Sequence, residues 1–293
     1  MISNRLPLLL LLAPGTLHAQ LAGFDGSIAE ADLLYLGGQP RQAFEVLEAR
    51  LAVDSVDYDA LWRAARAAVV VGIDEEGSRV QNAWLDPAMA LGERAVAMRP
   101  EGLDGLYWRG VAYGRRAMNA SPGYAAELAQ RAYDDAHAIL RADSLHAGAH
   151  NMLGKLNYEV MSVSRIKRAI GRMFMGNEAL SDMSWENAEY HLANAVEASP
   201  EVVLFQFDLA QLHRKRGRRD EAIEAYRRVV DLPIVHPTDV NLKTQARDVL
   251  VEWDASLDPP PPDTAGDTLT DKLTETSSAP IWATSVAGSS RAP

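Results

Sequence analysis

The sequence predicts an all-α solenoid of about five irregular helical hairpins, closed by one further helix at about residues 236–255. Three observations support this fold class. Apolar residues recur at helical spacing between the two ends of the chain, and no strand-like alternation persists. A set of small and apolar residues repeats five times along the chain. A proline follows three of these copies at the point where a new turn begins.

Each copy has an alanine, a small or apolar residue four positions on, another three positions further, and then a turn residue. The copies are, in chain order, Ala43 and Leu47 (the weakest); Ala88, Gly92, Ala95 and Pro100; Ala132, Ala136, Ile139 and Ser144; Ala188, Leu192, Ala195 and Pro200; Ala222, Tyr226, Val229 and Pro233. This pattern is typical of the second helix of a tetratricopeptide (TPR) repeat, a two-helix unit of about 34 residues. The five copies exceed the three that are needed to close a solenoid core.

The spacing of the middle repeats departs from the 34-residue unit. From Trp62, which marks a first helix, the alanine of the second helix is expected at position 78 but lies at 88. From Gly110 it is expected at 122 and lies at 132, and from Gly154 it is expected at 166 and lies at 188. We therefore expect lengthened turns in the three middle hairpins.

The longest insertion, at about residues 160–180, is basic although the whole chain has a net charge of −11. No acidic residue lies between Glu159 and Glu178. On a helical wheel the apolar residues share one face, and the cations lie opposite or at its border. These cations are Arg165, Lys167, Arg168 and Arg172. Two interpretations stay open: a packing helix with a solvated basic face, or a surface helix that contacts anionic lipid head groups or an acidic partner.

The two ends of the chain differ from the repeats. Residues 1–19 contain an early Arg5, a short leucine-rich run and Ala19 before the expected cleavage point, which is the layout of a signal peptide. We therefore expect export, to the periplasm, with cleavage after about Ala19. Residues 257–293 are rich in Pro, Ser and Thr and are predicted to be disordered. The helical repeat domain is assigned to residues 20–256.

Several blocks of the chain resemble the regulator of microtubule dynamics family, whose core is an irregular TPR-like array. The blocks are residues 59–68, 88–114, 146–160, 164–176 and 186–200. The resemblance covers roughly residues 28–252, and its specific part is the basic insert after LGKLNYEV. It implies a TPR-like fold, and the export signal indicates that this chain is a bacterial, exported relative. Eukaryotic members are associated with microtubules, and some with membrane contact sites and lipid handling, so the resemblance also implies contact with an anionic surface or partner.

First-helix positions line the concave face of a TPR array, and this register predicts a groove of polar and aromatic side chains. The predicted groove residues are Arg63, Tyr107, Asn151, Lys155, Tyr158, Gln211, Arg214 and Lys215. Such a groove is suited to a peptide carboxylate or an acidic segment. A register error of one residue would rotate each assignment by about 100°.

These residues predict a non-catalytic scaffold that binds a segment of a protein partner in the concave groove. The alternative is a lipid-binding or membrane-surface module that uses the basic insert. A closed superhelix with an apolar lumen lined by Trp and Met would favour lipid, and an open polar groove would favour a peptide.

Other classes of function lack support in the sequence. With 29 basic and 40 acidic residues the chain lacks the basic footprint of a general nucleic-acid binder. It has no nucleophile elbow, phosphate-binding glycine loop or dinucleotide fingerprint, so neither an enzyme nor a cofactor is expected. His146 and His150 are spaced i, i+4 without an evident third ligand, and no metal site is expected. Cysteine is absent, and the oligomeric state is left open.

Overall fold

The computed structural model describes residues 27–163 and 183–253, which form eleven α-helices and no strand. The helices are α1 Ile28–Leu36, α2 Pro40–Val53, α3 Tyr58–Asp74, α4 Ser78–Met98, α5 Leu103–Ala117, α6 Pro122–Ala142, α7 Ala147–Ser162, α8 Trp185–Ala198, α9 Val203–Lys215, α10 Arg219–Asp231 and α11 Asp239–Trp253. Within these two ranges, every helix is too short or too polar to cross a bilayer.

The first ten helices pair into five antiparallel hairpins, and α11 packs on α10 and α9 at the end. The first helices of the hairpins are α1, α3, α5, α7 and α9, and each contacts the next along one side of the array. These helices therefore line the inner face, as in other solenoids built of helix pairs. The predicted all-α solenoid, with its five hairpins and its closing helix, is confirmed.

The extra residues of the second and third hairpins extend helices rather than turns. α4 and α6 have 21 residues each, against 14 for α2, and the turn before α4 is only Glu75–Gly77. The prediction of lengthened turns is therefore wrong at these two places. The reason is packing, because the added helical turns bury Leu85 and Leu128, whose exposed fractions are 2% and 1%.

The small residues of the repeat pattern lie where two helices approach closely. A Cβ atom added to Gly92 on α4 would lie 2.8 Å from the Cα of Arg109 on α5. A Cβ atom added to Gly154 on α7 would lie 3.0 Å from the backbone nitrogen of Leu192 on α8. Both distances are shorter than ordinary van der Waals contact, so only glycine allows these helices to pack at this separation.

Several predicted features lie outside the described residues. They are the signal peptide at 1–19 with its cleavage point, the cations Arg165, Lys167, Arg168 and Arg172 of the basic insert, and the tail at 257–293. The start of the insert as predicted, residues 160–162, belongs to α7.

Candidate functional site

Two of the predicted groove residues contact one buried carboxylate, Asp208 of α9, which is 5% exposed, and a third is bonded to one of them. The Asn151 side-chain amide on α7 donates to Asp208 Oδ2 at 3.0 Å. The Lys155 ammonium lies 3.1 Å from Asp208 Oδ1 and donates to Gln211 Oε1 at 3.2 Å. These contacts join α7 to α9, so these polar side chains of the inner face are bonded to each other.

The charge of Lys155 is retained at this site. Burial acts to lower the pKa of Lys155, but the Asp208 and Glu159 carboxylates outweigh burial and raise it. Lys155 and Asp208 therefore form an ion pair that is neutral as a unit. Asp208 is absent from the predicted groove residues, although a lone acidic residue in the apolar run VLFQFDLAQL, one helical turn before Gln211, is a usable signal.

Beyond this ion pair the inner face opens into a cavity of about 390 Å³. Its lining residues are Tyr158, Gln211, Arg214, Lys215 and Tyr226. Four of them belong to the predicted groove, and the fifth, Tyr226, belongs to the repeat pattern of α10. α7 and α9 both end at this cavity, which places their last polar side chains around its rim.

Two cations of the cavity differ in how far they are neutralised. Arg214 lies 3.2 Å from the Glu252 carboxylate of α11, and its guanidinium lies 5.4 Å from the centre of the Trp253 ring. Lys215 is exposed and makes no hydrogen bond or ion pair to any residue in 27–163 or 183–253. The cavity therefore offers one paired and one unpaired positive charge.

The three arginines that follow α9 are Arg216, Arg218 and Arg219, and all of them contact neighbouring elements. Arg218 donates to Glu189 Oε1 of α8 at 2.5 Å, and Arg219 donates to the backbone oxygen of Trp253 at 2.6 Å. The Arg216 guanidinium lies 5.5 Å from the centre of the Trp185 ring. These three arginines stabilise the last hairpin, which leaves Arg214 and Lys215 as the cations that face the cavity.

The predicted groove residue Arg63 lies far along the inner face, among carboxylates. Its guanidinium lies 2.9 Å from Asp32 Oδ2 of α1 and 3.0 Å from Asp59 Oδ1, and it stacks 4.0 Å from the centre of the Trp62 ring. Asp32 also pairs with the buried Arg66 at 2.5 Å. These ion pairs join α1 to α3 in the same way that Asp208 joins α9 to α7.

The inner face of the first two hairpins is covered by a segment from the other end of the chain. This segment, Leu232–Thr238, connects α10 to α11. The His236 ring meets the edge of Tyr35 on α1, with ring centres 6.3 Å apart. The Arg66 guanidinium lies 3.9 Å from the centre of the same Tyr35 ring, which is 1% exposed. The segment that follows the last hairpin therefore contacts α1 of the first hairpin.

Tyr107 lies on this closed side of the groove. It packs against Trp108 and His146, with ring centres 5.1 and 5.7 Å away. Burial raises the pKa of the Tyr107 hydroxyl, and the nearby Tyr35 adds to the effect. Tyr107 and Arg63 are therefore not brought to the cavity that holds Tyr158, Arg214 and Lys215.

The two histidines spaced i, i+4, His146 and His150, have structural partners. His146 Nδ1 accepts from the backbone N–H of Ala149 and so caps α7. His150 Nε2 lies 3.0 Å from the carbonyl oxygen of Ser144, and its Nδ1 lies 3.0 Å from His191 Nδ1. Because a carbonyl only accepts, His150 donates to Ser144 and accepts from His191. No group of three His, Asp or Glu side chains suited to a metal ion occurs within the described part of the chain.

The His150–His191 pair predicts a pH dependence. Burial, with His150 and His137 nearby, lowers the pKa of His191 to about 4 from 6.5. Between these two values the unfolded state binds the proton and the folded state does not, so the stability that neutral His191 supports is lost as the pH falls. We expect the unfolding free energy of wild type, relative to His191→Gln, to fall by about 1–2 kcal/mol between pH 7.5 and 5, measured by urea denaturation.

The comparison with the His191→Gln variant is necessary because a second group acts in the opposite direction. Burial raises the pKa of Asp104 to about 6, so acid favours the folded state at that residue. The Asp104 contribution is common to both proteins and cancels in the difference. A difference that stays constant from pH 7.5 to 5 would contradict the prediction.

The sequence of this helical array matches a known protein family along nearly all of its length. The model of the family "Regulator of microtubule dynamics protein 1-3" matches residues 27–254. The chain belongs to this family. No curated protein is significantly similar to it in sequence.

Solved structures show which fold this family member shares. TTC0263, a thermophilic TPR protein of Thermus thermophilus, is 20% identical, with a TM-score of 0.57 over 76% of this chain and 97% of that one. YrrB, described as a TPR protein with an unusual peptide-binding site, is 15% identical, with a TM-score of 0.40 over 84% of this chain and 99% of that one. The likeness to TTC0263 establishes a TPR-like fold.

Proposed function

We propose that this regulator of microtubule dynamics family member is a non-catalytic scaffold, and that its cavity beside α7 and α9 binds an acidic or carboxylate-ended segment of a protein partner. One observation carries the proposal. Among the predicted groove residues, Tyr158, Gln211, Arg214 and Lys215 surround one open cavity of about 390 Å³. That volume lies in the range of sites that hold a few side chains or a small ligand.

The charges around the cavity support an anionic ligand. Lys215 carries an unpaired positive charge at the rim, and Arg214 shares its charge with the exposed Glu252. The nearest buried carboxylate, Asp208, is already neutralised by Lys155. A carboxylate from a partner would therefore meet cations and hydrogen-bond donors, and charge-assisted bonds of this kind are the strong ones.

The packing of the aromatic residues favours a peptide over a lipid. Trp62 and Tyr113 are buried within the helical array, and Trp84 packs edge-on against Phe44 at 5.4 Å. These rings fill the spaces between helices rather than line an apolar lumen. The signal-peptide layout of residues 1–19 supports the further proposal that the binding takes place in the periplasm.

A pair of synthetic peptides tests the cavity. The first is a labelled octapeptide of alternating Glu and Ala with a free carboxylate, and the second has Gln in place of Glu and an amidated C-terminus. We expect wild type to bind the acidic peptide in a salt-sensitive way, and Lys215→Glu to weaken that binding at least about tenfold because it replaces attraction by repulsion. Fluorescence anisotropy at low and high salt measures both effects.

Arg79→Glu is the matched control for the cavity variant. It makes the same change of charge at an exposed position on α4, remote from the cavity. It should bind the acidic peptide nearly as wild type does. Equal loss in both variants would assign the binding to net charge, and equal binding of the Glu and Gln peptides would overturn the anionic specificity.

A further inference from the structure

The segment that covers the inner face of the first two hairpins has the character of a bound peptide. Leu232–Thr238 reads LPIVHPT, has no acidic or basic residue other than His236, and contains Pro233 and Pro237. It forms neither helix nor strand. Leu232, before Pro233, has an extended backbone, and residues 236–238 form a turn in which the Asp239 backbone N–H donates to the His236 carbonyl oxygen at 3.0 Å. Proline-containing segments are ligands of aromatic-lined grooves.

The segment is held at its base by its own chain. The Asp239 carboxylate accepts hydrogen bonds from the backbone N–H groups of Val235 at 2.9 Å and His236 at 2.7 Å. The Lys243 ammonium donates to the backbone oxygen of Leu232. These bonds define the shape of the segment at α11, and they leave the His236 side chain directed at the opposite hairpin.

The surface that the segment covers belongs to α1 and α3. Tyr35 contacts both the His236 ring and the Arg66 guanidinium. Burial and the Arg66 charge lower the pKa of His236 to about 4, so its ring is neutral at neutral pH. The site therefore consists of a buried aromatic ring and a cation that lie beside an uncharged histidine ring.

The closed contact leaves buried polar atoms without partners. Arg66 is 4% exposed and Asp239 is 1% exposed, yet Arg66 Nε and Asp239 Oδ1 have no hydrogen-bond partner among the described residues. Buried polar atoms are normally bonded, and each one left unbonded destabilises the closed arrangement. Of these two atoms, Arg66 Nε belongs to the covered surface, so a ligand that supplies an acceptor there would bond a group that is now unbonded.

We propose that the inner face of the first two hairpins, around Tyr35 and Arg66, is a second segment-binding site. Its ligand is an uncharged, proline-containing protein segment that presents an aromatic ring to Tyr35, and Leu232–Thr238 is an internal copy that a partner segment of the same character replaces. This site is separate from the basic cavity, and it selects a ligand of the opposite character.

A peptide copy of the segment is the probe. It is LPIVHPT with both ends capped and a neutral dye attached, and its binding to the chain is followed by fluorescence anisotropy. In wild type the internal copy keeps the site closed, so the apparent affinity is reduced by the fraction of open chains. His236→Ala weakens the internal copy and should bind the peptide at least about tenfold more tightly than wild type does.

Three controls separate this result from other causes. His137→Ala, at a half-buried histidine away from the segment, should bind the peptide as wild type does. The same peptide with alanine for histidine should bind His236→Ala more weakly, because it cannot meet Tyr35. Lys215→Glu should leave binding of this peptide unchanged. A negative result for this second site is therefore distinguishable from a negative result for the cavity beside α7 and α9.

A second variant, Pro237→Gly, guards against loss of folding in His236→Ala, and circular dichroism checks both variants. If folded His236→Ala and Pro237→Gly both fail to bind the peptide at millimolar concentration, the proposal is overturned and the segment is a structural turn. Equal binding by wild type and both variants would also overturn it, since it would show that the internal copy does not compete.

Discussion

Gly92→Ala should lower the unfolding free energy by about 1–3 kcal/mol, the usual cost of adding a methyl group to a filled space. The new Cβ atom would lie 2.8 Å from both the Cα and the Cβ of Arg109. A backbone atom cannot move aside as the tip of a side chain can, so α4 and α5 would have to separate. Arg109 also holds Asp135 of α6 through two hydrogen bonds, at 3.0 and 2.5 Å, and the shift would disturb that contact.

Gly114→Ala is the matched control, because this glycine also lies inside a helix, α5, but a Cβ atom there meets nothing within 4 Å. Alanine should stabilise the helix by about 0.5–1 kcal/mol, since glycine is the more flexible residue in the unfolded chain. Urea denaturation of the two variants should thus give shifts of opposite sign. A neutral or stabilising Gly92→Ala would show that the two helices are not in the close contact described.

The repeat pattern predicted the hairpins well because it depends on local contacts. Small residues mark where consecutive helices meet: Gly154 lies between the two helices of one hairpin, and Gly92 lies between one hairpin and the next. The sequence pattern did not show whether the extra residues lengthen a helix or a turn. The outcome depends on which of their side chains become buried against other helices. Leu85 and Leu128 decide the matter, and their partners lie on other helices.

The sequence also placed polar residues on the inner face without revealing their partners. Lys155 and Arg63 are both on that face, but each is paired with a carboxylate from the neighbouring first helix, Asp208 or Asp32. Such pairs depend on how one hairpin is rotated against the next. The contact of His236 with Tyr35 depends on the curvature of the whole array, which no local pattern records.

The ion pair at Asp208 gives the second large effect. Asp208→Ala removes the acceptor of the buried Asn151 amide and leaves the Lys155 ammonium with only Gln211 and the more exposed Glu159. Breaking a buried charge pair by removing one partner costs about 3–5 kcal/mol. We expect a value near the lower end, about 3 kcal/mol, because the Lys155 side chain is 24% exposed and water can reach part of it. The unfolding free energy in urea measures the loss.

A double-mutant cycle with Lys155→Met separates the lost pair from the lost packing. In the Lys155→Met background no buried ammonium remains, so Asp208→Ala should cost less by at least about 1 kcal/mol. Glu159→Ala is the control on the other side of Lys155. This exposed partner lies 3.4 Å away, and its removal should change stability by less than about 0.5 kcal/mol. Equal costs of Asp208→Ala in the two backgrounds would mean that Lys155 and Asp208 do not interact in solution. Lys155 would then be an unpaired cation on the inner face, as Lys215 is at the cavity.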